Sequence, residues 1–316
     1  MKKLLLIVIA LVIILGAIAG VSYWRASQGA PATDLEKTYL TSADRFLDVA
    51  GARIRIREEG DPAARPVILI HGFTHSLETW DGWAAALKSD YRVIRYDLLG
   101  HGLTGPDPLE RYAPEERAAF IGDILDSLNI DHAAIAGNSL GGLAAWRFAA
   151  SHPDRVDALV LISPGAYPLN GAGDEPAEIP AAMKAYLMTA PEAGVRASAG
   201  IIYGDDEKIT PERVASMRDM MRREGNGEAM IRSLEEFTLP DPAAALASIE
   251  TPTLILWGEM DAVIPIAQGR QIEETMPNAK LISYPGVGHA AQEEAPQETV
   301  ADAIAFLAEH YPAAGE

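Results

Sequence analysis

One serine of this chain has the surroundings of a nucleophile. Ser139 lies in the stretch from Gly137 to Gly142, which reads GNSLGG, with a glycine two residues away on each side. The apolar run 133–136 before it predicts a buried strand, and the run 143–150 after it predicts a helix. A tight turn from strand to helix would lift the hydroxyl above the sheet edge, beside a helix N-terminus that stabilises negative charge. The alternative is a glycine-rich connection without a chemical role.

A serine hydroxyl is a poor nucleophile at neutral pH, so it needs a base and a carboxylate that orients the base. Asp261 follows the apolar run 253–257, and His289 follows the run 280–283. Both therefore come just after a predicted parallel strand, as Ser139 does, and we expect the three side chains at one edge of the sheet. Asp241, near the end of the preceding helical segment, is the alternative acid.

An acyl-transfer site also needs two N–H groups that face the oxygen on which negative charge develops. Leu140 follows the serine directly and supplies one candidate. The loop after the apolar run 67–70 reads His71-Gly72-Phe73, and Phe73 supplies the second. We therefore predict that the backbone N–H groups of Phe73 and Leu140 form an oxyanion hole.

Predicted strands and helices alternate along the chain. An antiparallel pair, 46–49 and 54–57, is followed by buried apolar strands, listed here by residue number: 67–70, 93–96, 133–136, 158–162, 253–257 and 280–283. Helical patterns lie between them at 80–87, 114–128, 143–152, 267–276 and 296–310. This alternation predicts a three-layer α/β domain with a mostly parallel sheet.

The segment 166–250 has no strongly apolar strand pattern. It favours short helices near 181–189, 212–223 and 229–237, which we interpret as a helical lid over the ends of the strands. Six of the nine methionines lie there. Because methionine side chains adapt to varied apolar ligands, they favour a substrate with an apolar acyl or alkyl part, although ordinary helix packing explains them equally well.

The N-terminus has the pattern of a membrane anchor. Lys2 and Lys3 precede a nearly uninterrupted apolar run from Leu4 to Val21, which at about 1.5 Å per residue spans roughly 27 Å. We predict a transmembrane signal anchor over 1–25 and a polar linker over 26–44, with the catalytic domain on the extracytoplasmic, periplasmic side. The alternative is secretion after cleavage near Ala19.

Composition excludes several function classes. Asp and Glu outnumber Lys and Arg by 45 to 26, giving a net charge of −19, which argues against a nucleic-acid partner. The chain has no cysteine, which excludes disulfides and thiol catalysis. No histidines pair at a spacing typical of metal ligands, so we predict no metal.

Five motifs occur in a fixed order along the chain: His71-Gly72-Phe73, Asp97-Leu98-Leu99-Gly100-His101-Gly102, the stretch 137–142, Trp257-Gly258 with Asp261 and Pro265, and Gly288-His289. Together they resemble the α/β-hydrolase superfamily over 45–165 and 251–316, with the lid at 166–250. The resemblance implies a triad of Ser139, Asp261 and His289, an oxyanion hole of Phe73 and Leu140, and no cofactor.

The predicted activity is that of a serine hydrolase, carboxylesterase-like or lipase-like, which cleaves small-molecule carboxylic esters. Ser139 stands where epoxide hydrolases and haloalkane dehalogenases carry an aspartate, which argues against both. The serine motif is similar to that of meta-cleavage-product hydrolases, but those usually carry a further glycine where this chain has Phe73-Thr74-His75. The alternatives are a C–C bond hydrolase, an amidase or a perhydrolase, or, in another class, a non-catalytic ligand-binding protein of this fold.

Overall fold

In residues 16–18 and 20–313, which the computed structural model describes, eight strands form one sheet in the order β1-β2-β4-β3-β5-β6-β7-β8. The strands are β1 Asp44–Val49, β2 Ala52–Glu59, β3 Pro66–Ile70, β4 Arg92–Tyr96, β5 Ala133–Asn138, β6 Val156–Ile162, β7 Thr253–Gly258 and β8 Ala279–Tyr284. β2 pairs antiparallel with β1 and β4, and the other pairings are parallel. The predicted mostly parallel α/β sheet is confirmed.

Helices connect the strands. They are α1 Ala32–Tyr39, α2 Asp81–Leu87, α3 Pro114–Ser127, α4 Leu140–Ser151, α5 Ala181–Thr189, α6 Glu192–Ile202, α7 Pro211–Arg222, α8 Asn226–Glu235, α9 Ala243–Ala247, α10 Ile266–Thr275, α11 Ala291–Glu294 and α12 Pro296–His310. Single 3₁₀ turns lie at Leu77–Trp80, Pro153–Arg155 and Asp206–Lys208.

The sheet has an apolar core on each face because successive side chains of a strand point to opposite sides. In β3, Ile68 and Ile70 belong to the core that includes Phe148 of α4. Val67 and Leu69 belong to the other core, with Trp83 of α2. The sheet is therefore the middle of three layers, and the ends of its parallel strands are held by packing on both faces.

Helices α5 to α9 lie between β6 and β7. Helices α5 to α8 have an apolar cluster of their own, in which Leu187, Val195 and Met217 pack together with the partly buried Phe73. Met221 and Met230 are also buried there, so much of the methionine content serves packing between short helices. The contact with Phe73 brings this helical insertion to the loop after β3.

The segment 26–44 differs from the predicted linker. Residues 32–39 form helix α1, and Leu35 packs on Leu103 and Met220. The Tyr39 hydroxyl donates to Asp219 Oδ2 at 2.8 Å. Since one buried leucine and long-range hydrogen bonds hold this helix, its short polar sequence gives no local indication of the packing.

The predicted transmembrane anchor over 1–25 falls largely on residues 1–15 and 19, which lie outside the described residues. Residues 20–27 are helical, and Val21, Tyr23 and Trp24 are exposed. Within 16–18 and 20–313, no helix combines the length and apolarity needed to cross a bilayer.

Candidate active site

Ser139 occupies a strained turn between β5 and α4. Its φ and ψ are 52° and −112°, a conformation that costs a non-glycine residue about 1–3 kcal/mol. The surrounding backbone is too close for larger residues: a Cβ on Gly141 would lie 2.3 Å from the Ile70 carbonyl oxygen. The Ser139 N–H donates to Ile162 O at 3.0 Å, which ties the turn to β6. Packing on both sides therefore holds the serine in this conformation.

The structure brings Asp261, and not Asp241, to the histidine. Asp261 Oδ2 lies 2.8 Å from His289 Nδ1, and both side chains are buried. Asp261 Oδ1 accepts backbone N–H groups of Val263 and Ile264, each at 2.8 Å. Asp241 is exposed, and its carboxylate accepts the Ala243 N–H at the start of α9. The loop after β7 thus holds Asp261 so that one carboxylate oxygen faces the imidazole and the other accepts two backbone N–H groups.

Ser139 and His289 line one cavity of about 250 Å³, together with Phe73 and Asn138. Among the described residues no hydrogen bond joins the serine hydroxyl to the imidazole. Catalytic hydrogen bonds are often longer before a substrate binds. Ser139 and His289 thus share one cavity, and Asp261 is bonded to the imidazole, as the predicted triad requires.

Two backbone N–H groups lie close to Ser139: that of Phe73, which lines the same cavity, and that of Leu140, the next residue along the chain. Leu140 is the first residue of α4, so its N–H has no partner within the helix. In the described chain the Phe73 N–H has no hydrogen-bond partner either. Gly72 allows the two loops to approach, because a Cβ there would lie 2.9 Å from Asn138 Oδ1 and 3.2 Å from Ser139 Cβ. Phe73 and Leu140 therefore stay the candidate donors of an oxyanion hole.

Two polar side chains that the sequence analysis gave no role connect the loops of the site. Asn138 Nδ2 donates to the backbone oxygens of His289 and Ile162, both at 3.1 Å. The buried Glu294 accepts the N–H groups of Gly288 at 2.8 Å, Asp205 at 2.9 Å and Gly204 at 3.0 Å. These contacts attach the histidine loop to the serine turn and to the end of α6. The hydrogen-bond partners of Asn138 and Glu294 are distant in the sequence, so no local pattern indicates these contacts. The one indication in the sequence is the position of Asn138 next to Ser139.

Two other motif residues, His71 and Asp97, hold loops near the site through hydrogen bonds to backbone. Leu98 N–H donates to His71 Nε2 at 3.0 Å, and His71 Nδ1 bonds to Gly72 O at 2.8 Å. Burial lowers the pKa of His71 to about 3, so the ring is neutral at pH 7. Burial raises the pKa of Asp97 to about 6, and its oxygens accept the N–H groups of Leu77 and Leu103.

A second cavity, of about 340 Å³, also reaches Ser139. Its walls are mostly apolar side chains of the helical insertion and neighbouring loops: Leu169, Ile179, Met183, Leu234, Phe237 and Leu239. Met183 lines both cavities. In the described part of the chain, no group of three or more acidic or histidine side chains is placed to hold a metal ion. The larger cavity thus offers Ser139 a mostly apolar surrounding.

A family model described as alpha/beta hydrolase fold matches residues 65–296. The chain is 29% identical over 271 residues to the dihydrolipoyllysine-residue acetyltransferase component of the acetoin cleaving system of Pseudomonas putida, covering 85% of this chain and 70% of the relative. It is 27% identical over 264 residues to a 2-hydroxy-6-oxononadienedioate/2-hydroxy-6-oxononatrienedioate hydrolase of Burkholderia vietnamiensis, covering 80% and 92%.

Among solved structures, the fold is similar to that of a meta-cleavage product hydrolase from Pseudomonas fluorescens. The TM-score is 0.73 at 24% identity, with 84% of this chain and 97% of the other covered. At this identity the likeness concerns the fold alone.

Proposed function

The chain belongs to the alpha/beta hydrolase family, and from that premise we propose that it is a serine hydrolase that cleaves carboxylic esters with largely apolar acyl groups. One observation carries the proposal above the others: Asp261 is hydrogen-bonded at 2.8 Å to His289, and His289 lines the same cavity as Ser139. The apolar walls of the larger cavity support an apolar acyl group.

In the proposed reaction, His289 takes the proton of Ser139 as its oxygen attacks the ester carbon. Asp261 orients the imidazole and stabilises its charged form. The N–H groups of Phe73 and Leu140 bind the oxyanion, and loss of one such donor typically costs about 3–4 kcal/mol. The alcohol leaves with the proton from His289, and water then hydrolyses the acyl-enzyme.

We assign the leaving group and the acyl chain of the substrate to different cavities. The leaving group must lie beside the imidazole that protonates it, and His289 lines only the smaller cavity. The acyl chain therefore occupies the larger one. The segment 166–250 supplies most of its wall, largely from the loops before α5 and after α8, which supports the proposal that this segment acts as a lid.

Labelling with a fluorophosphonate probe tests the proposal. We expect the wild-type protein to be labelled and to hydrolyse nitrophenyl esters, with longer acyl chains preferred until the cavity is full. Ser139→Ala should lose the label, and kcat should fall by at least about 10⁴-fold. An unlabelled wild-type protein, or undiminished labelling of the variant, would contradict the proposal and favour a non-catalytic, ligand-binding role.

A second candidate is hydrolysis of a C–C bond. The curated relatives that carry out such reactions match most of this chain, including the hydrolase of Burkholderia vietnamiensis. The loop Phe73-Thr74-His75, without a further glycine, distinguishes this chain from that subfamily pattern. Assaying a dienoate C–C substrate, an amide and peracid formation beside the esters decides between them: the highest kcat/KM identifies the bond.

We propose also that residues 1–25 anchor the protein in a membrane, with the hydrolase domain on the extracytoplasmic side. The apolar run from Leu4 to Val21 and the exposure of Val21 and Trp24 support this. Full-length protein should stay in the membrane fraction after carbonate extraction, whereas a chain that lacks 1–25 should not. Release of the full-length chain in processed form would instead indicate cleavage near Ala19.

A further inference from the structure

Arg117 of helix α3 is a buried cation whose partners are all uncharged. Its side chain is 2% exposed. Its three nitrogens donate to Tyr112 O at 3.1 Å, Leu99 O at 3.0 Å and Ser233 Oγ at 3.0 Å. No carboxylate of the described residues forms an ion pair with it. Burial lowers the pKa of Arg117 to about 10, so the group still carries its charge at neutral pH.

Ser233 of helix α8 connects this cation to the larger cavity. The residue is 1% exposed, and it lines the cavity that also reaches Ser139. Its oxygen accepts from Arg117, so its own hydrogen must point elsewhere. Among the described residues the Ser233 hydroxyl donates no hydrogen bond. A buried donor without a partner is costly, and the cavity is the open space beside it.

Apart from Ser139, the remaining polar residues of this cavity are placed differently. Asn170 and Glu178 are exposed and mark its outer side, whereas Ser233 is buried among apolar walls. A hydrogen bond to a group that is itself bonded to a cation is strengthened, because the charge polarises the hydroxyl. The inner wall thus offers one strong donor in an apolar surrounding.

We propose that Ser233 binds an uncharged carbonyl oxygen on the acyl chain, so that the preferred substrates are esters of oxo acids whose ketone lies away from the ester bond. This inference rests on the proposed function, since it assigns the acyl chain to this cavity. The apolar walls and the net charge of −19 disfavour an anionic group at the same place.

Binding to the Ser139→Ala protein tests the inference without turnover. The ligands are methyl esters of straight-chain acids and of the matching oxo acids, with the ketone three, four or five carbons from the ester carbon. By calorimetry we expect one oxo ester to bind about tenfold more tightly than its plain counterpart. Adding Ser233→Ala should remove this preference. Equal binding of every pair to Ser139→Ala would overturn the inference.

The controls separate recognition from a structural role. A purely structural contact of Ser233 with Arg117 would weaken binding of both esters alike when serine is replaced. Ser233→Thr keeps the hydroxyl and should retain the preference. Ser198→Ala, at a serine of the smaller cavity bonded to Tyr186, should leave the preference unchanged. Hydrolysis of the plain nitrophenyl esters by wild-type protein tests the proposed function separately, so the two failures are distinguishable.

Discussion

At the scale of single residues, Asn138 joins two loops that are 151 positions apart in the sequence. Its side-chain amide donates to the backbone of the histidine loop and of β6, so the residue beside Ser139 also holds the loop of His289. Asn138 lines the cavity of Ser139 and His289, but its amide neither takes up nor releases a proton at neutral pH. We interpret it as a positioning residue.

Replacing Asn138 by alanine should lower kcat more than it changes KM. Loss of the two hydrogen bonds leaves the His289 loop less well held, and small misplacements of a base are costly, so we expect kcat to fall by about tenfold and KM to change by less than about twofold. Steady-state kinetics on one nitrophenyl ester provides the measurement. Asn138→Asp is the matched variant: a carboxylate facing two carbonyl oxygens should lower kcat further. An unchanged kcat in both variants would contradict the role.

The sequence predicts which residues of the site follow the ends of strands. It does not predict residues whose role depends on a partner distant in the sequence. Ser139, Asp261 and His289 each come directly after an apolar run, so their shared edge follows from the parallel sheet. Ser233 is different: its partner Arg117 is 116 positions away, and no local pattern links a serine in a helix to a buried cation.

At the scale of elements, the turn from β5 to α4 depends on backbone contacts that only glycine permits. A Cβ on Gly141 would meet the carbonyl oxygens of Ile70 and His71 at 2.3 and 2.5 Å. These atoms belong to β3 and its loop, which cannot move without disturbing the centre of the sheet.

Gly141→Ala should therefore destabilise the protein by about 3 kcal/mol or more. The control is Gly200→Ala in α6, where an added Cβ would meet nothing within 4 Å and should stabilise the helix by about 0.5–1 kcal/mol. Urea denaturation of the two variants beside the wild type measures the difference. A loss in Gly141→Ala no larger than about 1 kcal/mol would show that the strands can move apart.

The strands were easier to predict than the helices of the insertion. Runs such as 67–70 are apolar at every position because both faces of the sheet are covered. This pattern can be recognised in the sequence without knowing the tertiary contacts. Helix α6, Glu192–Ile202, was not anticipated because Gly194 and Gly200 weaken its local preference. Its stability comes from Val195 and Ala199 packing on neighbouring helices.

At the scale of the whole molecule, buried neutral histidines link stability to pH. Burial holds the pKa of His71 near 3, whereas the unfolded chain protonates histidine at about 6.5. Between these values the unfolded state binds a proton that the folded state does not. The free energy of unfolding therefore falls as the pH drops below about 6.5.

Comparing wild type with His71→Gln isolates this effect from the titration of the many acidic residues. Glutamine keeps an acceptor for the Leu98 N–H but has no titrating ring. Between pH 7.5 and 5 we expect the wild-type protein to lose about 2 kcal/mol more than the variant. Urea denaturation at both pH values gives the two differences, and equal losses would mean that His71 protonates without unfolding the chain.

The contacts of Glu294 limit how this enzyme can be recombined with its relatives. One carboxylate holds both the histidine loop, through Gly288, and the chain that leaves α6, through Gly204 and Asp205. The His289 N–H also donates to Ile202 O at 2.6 Å. In a chimera whose helical insertion comes from another hydrolase, the Ile202 acceptor and the Gly204 and Asp205 donors would be replaced. Their partners, Glu294 and His289, would stay. We therefore expect such a chimera to have a lower kcat, unless the exchanged segment ends before Ile202 or begins after Asp205.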